Sequence, residues 1–106
     1  MSETDLLTTL RKILAENIDD APAERGFTIF VFGSFTTTVA HGDIDLLITY
    51  EDNMPVAQAR RLRGWLAELV VALLHCPADI CLLSNSEEAE IGLVERESAY
   101  KVLERL

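Results

Sequence analysis

Apolar residues recur along this chain with two different periods. Between Glu3 and about Asp19, Leu6, Leu10, Ile13, Leu14 and Ile18 fall three or four residues apart, which places them on one face of an α-helix. Ser2 and Asp5 offer a capping box, and Pro22 marks the end. From Phe27 to Phe32 the run is aromatic and β-branched and stops at Gly33, the pattern of a buried strand. A second strand is predicted over Ile44 to Thr49, where Leu46, Leu47 and Ile48 are apolar without alternation, as in a strand covered on both faces.

Asp52 and Asn53 then offer N-caps and Pro55 suits a first helical turn. The long helix that follows runs to about His75, with Leu62, Leu66, Leu69 and Leu73 on one face and Arg60 and Glu68 on the other. Its final turns, LVVALL, are apolar nearly all round, so that end is expected to be deeply buried. Pro77 terminates it. Ala78 to Leu83 forms a third strand that opens on Asp79. Ser84, Asn85 and Ser86 make the cap region of a closing helix, with Glu87 and Glu88 at its positive end and Ile91, Val94, Ala99, Val102 and Leu103 on its apolar side. A short helix is expected around Thr36, Thr37, Thr38 and Val39, although these residues are poor helix formers. The order α-β-α-β-α-β-α predicts a single α/β domain over residues 1–106, a short mixed sheet of about three strands with helices packed on it.

Composition narrows the picture. Hydrophobic residues make up 49% of the 106, so the chain folds rather than remaining disordered. The longest apolar run, Leu69 to Leu74, is far too short for a membrane span. The opening MSETDLLTTL lacks the basic and apolar regions of a signal peptide, and a soluble cytoplasmic protein is the expectation. Cys76 and Cys81 have no metal-ligand spacing and read as buried free thiols. A net charge of −9 argues against sequence-independent binding to a nucleic-acid backbone. It leaves open a nucleotide substrate, whose bound cations would offset the acidity, and a basic protein partner.

The chemistry gathers in Phe30 to Tyr50, FVFGSFTTTVAHGDIDLLITY. Asp43 and Asp45 stand one residue apart on a strand and so share a face, an arrangement that suits a divalent cation. The turn at Gly33 and Ser34 offers backbone amides and a hydroxyl to an anion. If the second and third strands are neighbours, Asp79 joins the two aspartates at one edge of the sheet. Two divalent ions between those carboxylates and a triphosphate would then promote attack by an acceptor hydroxyl and stabilise the pyrophosphate leaving group. Bland readings stand beside this one. His41 reads as a solvated loop residue, His75 as a cationic helix end, the cluster Arg60, Arg61 and Arg63 as a solvated helix face, and Tyr100 as packing.

An apolar strand, Gly-Ser, a short gap, and Asp-apolar-Asp together resemble the DNA polymerase beta nucleotidyltransferase superfamily. Within it, the small size is similar to the minimal nucleotidyltransferases, which often serve as antitoxins beside HEPN-domain toxins. The resemblance covers the leading helix, FGS, GDIDLL, the third strand with Asp79, and the ending EIGLVERESAY. It implies that Asp43, Asp45 and Asp79 form the catalytic carboxylate set and bind Mg²⁺, and that Gly33 and Ser34 hold ATP or another nucleoside triphosphate. It further implies transfer of AMP from ATP to a hydroxyl of a partner toxin. The connector FTTTVAHG carries no arginine where many relatives have one. A non-catalytic module that neutralises its partner by covering it is the alternative.

Overall fold

The computed structural model describes residues 3–32 and 44–106. Helix α1 (Glu3–Asn17) ends in a 3₁₀ turn over Ile18–Asp20. Strands β1 (Phe27–Val31) and β2 (Ile44–Tyr50) follow, then the long helix α2 (Val56–Leu74) and strand β3 (Ala78–Ser84). Two short helices, α3 (Asn85–Ile91) and α4 (Leu93–Arg96), lead to strand β4 (Tyr100–Arg105). The sheet order is β3-β2-β1-β4; β1 is antiparallel to β2 and β4, and β2 is parallel to β3. This is the mixed α/β class expected from the sequence, with four strands rather than about three.

One face of the sheet makes the core. Phe27, Ile29 and Val31 of β1, Ile44, Leu46, Ile48 and Tyr50 of β2, and Val102 of β4 pack there against Leu6, Leu10 and Leu14 of α1 and Ala59, Leu62, Leu66 and Val70 of α2. Each fully buried leucine of this set contributes about 1.5–3 kcal/mol by leaving water. The opposite face carries Thr28 and Phe30, Asp45, Leu47 and Thr49, and Asp79, Cys81 and Leu83, as the strand registers require. Leu47 and Thr49 are buried there, so β2 is covered on both faces, as its unbroken apolar run implies. Helix α3 packs against β3 and β2.

Several expectations change. The closing helix does not run on: Gly92, at φ 67°, ends α3 in the left-handed region that favours glycine, and the chain turns into α4. Val102 and Leu103, read as helical, lie in β4 and supply β1 with a hydrogen-bonded neighbour. Pairing an otherwise open strand edge outweighs the weak helical preference of YKVL. The C-terminal end of α2 is also less covered than its composition suggests, with Val71 51% and Leu73 47% exposed. Val70 is buried and Leu74 packs on the core, whereas Val71, about 100° round the helix from Val70, faces outward and Leu73 borders a groove with Thr8 and Lys12 of α1. The N-cap of α2 is Pro55, without a side-chain hydrogen bond. Asp52 instead accepts hydrogen bonds from the Ser86 backbone N–H (3.0 Å) and hydroxyl, in the first turn of α3. Both cysteines are free, but Cys81 is exposed and Cys76 half-buried. Among the described residues no helix is long and apolar enough to cross a membrane. The Ser2 cap and the helix expected around Thr36 to Val39 lie outside the described residues, Ser2 for its position and the latter entirely.

Candidate active site

Strands β2 and β3 run parallel with Asp45 directly beside Asp79. Register partners in neighbouring strands point to the same face with backbones about 4.8 Å apart, so the two carboxylates share one patch of the face opposite α1 and α2. The neighbour relation that the site required is therefore present. Asp45 is half-buried and Asp79, on the edge strand, is exposed. The other sequence-derived site residues, Gly33, Ser34 and Asp43, and also His41, lie outside the described residues. Ile44, the residue after Asp43, is fixed by its backbone N–H donating to the Pro77 carbonyl (3.0 Å).

Asp45 and Asp79 line a cleft of about 330 Å³ together with Phe32, Leu46, Cys81, Leu93 and Glu97. Its acidic side is drawn from two strands, and Leu93 and Glu97 come from α4 and the residue that ends it. Cys81 was legible as a neighbour: two residues after Asp79 on a strand, it must share the face. Leu93 and Glu97 were not, because the break at Gly92 that swings α4 over the sheet is invisible in an apolar pattern that continues to Leu103. Partial burial of its sulfur pushes the Cys81 thiol above its usual range, and the negative charges of Asp79, Glu88 and Glu87 add to that effect. The cleft therefore holds a protonated, weakly reactive thiol at neutral pH.

The donor set is hard oxygen, the kind that Mg²⁺ selects. Two carboxylates from adjacent parallel strands suit such an ion, which typically takes one or two protein carboxylates and leaves its other positions to water and phosphate. Among the described residues no group of three or more His, Cys, Asp or Glu side chains gathers closely enough to hold a metal; Asp43 is outside that set. Arg60 and Arg63 border a separate groove with Gly64, Ala67, Ala78 and Ile80. Since Ala78 and Ile80 point to the α2 side of β3, these arginines stand across the edge strand from Asp79 and do not line its cleft.

The fold is similar to that of solved toxin–antitoxin structures. One is described as tri-AMPylated Shewanella oneidensis HEPN toxin in complex with MNT antitoxin; a chain of it matches at 16% identity and a TM-score of 0.52, over 92% of this chain and 72% of that one. The other is described as a crystal structure of a toxin–antitoxin with AMP-PNP, matched at 16% identity and a TM-score of 0.51, over 89% of this chain and 73% of that one. No family model and no curated protein matches the sequence. The likeness is one of fold: a four-stranded mixed sheet with helices packed on it.

Proposed function

We propose that this protein is a Mg²⁺-dependent nucleotidyltransferase that moves AMP from ATP to a hydroxyl of a protein partner, and that it acts as the antitoxin of a HEPN-type toxin. The observation that carries the reading is the register of Asp45 beside Asp79 at the mouth of a cleft. The fold likeness to complexes whose descriptions name an AMPylated toxin and AMP-PNP supports the partner and the nucleotide.

Asp45 and Asp79, with Asp43 two residues before Asp45 in sequence, would hold Mg²⁺, and Gly33 and Ser34 would cradle the triphosphate. Mg²⁺ supplies positive charge that favours hydroxyl attack and departure of pyrophosphate. Asp79 lies on an edge strand, where a large acceptor can approach without passing over the sheet. Its carboxylate orients the acceptor hydroxyl and takes its proton as the oxygen bonds to the α-phosphorus and the bond to pyrophosphate breaks. Phe32 and Leu93 give the cleft an apolar side for the base.

The test is transfer of label from α-labelled ATP, with Mg²⁺, to the product of the adjacent gene. Asp45→Ala and Asp79→Ala are each expected to cut the rate by about 100-fold or more, the scale of several kcal/mol of charge stabilisation. Full transfer by both variants would remove the assignment. A second reading, a module that neutralises by contact alone, is favoured by the arginine-free connector FTTTVAHG. Under it, Asp79→Ala neutralises the partner as well as wild type does.

A further inference from the structure

Helix α4 has only four residues, far below the length at which a helix holds itself. Its N-cap is Gly92, which has no side chain to cap with. The missing partner comes from the preceding helix. Glu88 Oε2 accepts from the Leu93 backbone N–H (3.2 Å), and Oε1 accepts from that of Val94 (2.9 Å). The same residue's backbone carbonyl accepts from the Gly92 N–H (2.7 Å). Glu88 thus closes α3 with its main chain and opens α4 with both oxygens of its side chain. The residue held at that corner, Leu93, lines the cleft opposite the aspartates, as does Glu97 one turn on.

We propose that Glu88 is a positioning residue for nucleotide binding: by tying Leu93 and Val94 to α3 it sets the wall of the cleft that faces Asp45 and Asp79. The nucleotide part of this assignment rests on the nucleotidyltransferase reading; the structural part does not. Glu88 reaches the cleft only through α4, so its loss weakens binding of the base and leaves the carboxylate chemistry in place. Its effect is therefore on KM for the nucleotide rather than on kcat.

Cys81 gives a readout that needs no activity, because it lines the same cleft and is exposed. In a Cys76→Ser background, N-ethylmaleimide labels Cys81 alone, and the pH-independent thiolate rate separates access from the charge effect of Glu88. Glu88→Ala is expected to raise that rate about fivefold, the scale of one lost cap. Glu88→Gln, which keeps one strong acceptor, gives a smaller rise, and Leu93→Ala opens the wall without touching the cap. In the transfer assay Glu88→Ala raises KM for ATP by about fivefold with kcat within about twofold, whereas Asp79→Asn lowers kcat. Wild-type labelling in folded Glu88→Ala overturns the proposal; should that variant not fold, wild-type labelling in both Glu88→Gln and Leu93→Ala does so. A normal KM with a lowered kcat also overturns it. If wild-type protein transfers no nucleotide but the labelling rates rise as stated, the function reading falls and the positioning role stands.

Discussion

Asp45 and Asp79 stand side by side on neighbouring strands, where a bound divalent cation would stabilise the folded state. In the wild type, Mg²⁺ is expected to raise Tm by binding the folded state, and in Asp79→Asn that rise shrinks; thermal unfolding with and without the ion checks both. His75 raises a different single-residue question. It caps α2 at φ 54°, in the left-handed region, while its N–H donates to the Val71 carbonyl (3.0 Å). A non-glycine residue pays about 1 kcal/mol there, so His75→Gly is expected to raise the urea midpoint accordingly. The sequence placed histidine at that helix end for its charge; the backbone angle, which sequence does not display, is what matters more.

The short helices are held by caps rather than by length. Ser84 caps α3, its hydroxyl accepting from the Glu87 N–H (3.2 Å) while Glu87 Oε1 accepts from the Ser84 N–H (2.8 Å). That capping box was legible, since Ser84 and Glu87 stand at the required spacing. Asp52 was legible as a cap but attached to the wrong helix. It precedes α2 in sequence yet meets α3 in space, because β2 and β3 end side by side at Tyr50 and Ser84. The side-chain and backbone hydrogen bonds from Ser86 hold the Asp52 carboxyl below its usual range. A depressed folded-state value means that its stabilisation is present above the ordinary aspartate range near pH 4 and is lost as pH falls through the lower value. Wild type is expected to lose stability more steeply than Asp52→Asn as pH falls below about 4. Urea unfolding from neutral to acid pH measures the difference, which is largest at neutral pH and shrinks as the carboxyl is protonated.

At the scale of the whole molecule, eighteen acidic residues against nine basic ones leave a net charge of −9. The ion pair of Lys101 with Glu104 at 2.9 Å is solvent-exposed and adds little. A net charge of −9 repels itself across a small domain, and moderate NaCl is expected to raise the urea midpoint by screening it. A fall in the midpoint between about 0.05 and 0.3 M salt would contradict this. The same acidity suits a basic surface on the proposed protein partner, with the edge strand β3 presenting Asp79 to it.

Local pattern alone settles the strands Phe27–Val31 and Ile44–Tyr50, the helices α1 and α2, and the presence of aspartates at the start of β2 and β3, because period and cap chemistry act within a few residues. Tertiary structure decides what depends on distant partners. It sets Asp45 beside Asp79 through the parallel register, turns Tyr100–Arg105 into a strand because β1 needs a neighbour, leaves Val71 and Leu73 largely in water because the core takes up only one face of α2, and ties Leu93 at the cleft to a carboxylate five residues upstream. Each of these is a competition between a weak local preference and a hydrogen-bonding or packing partner far along the chain, and the partner wins.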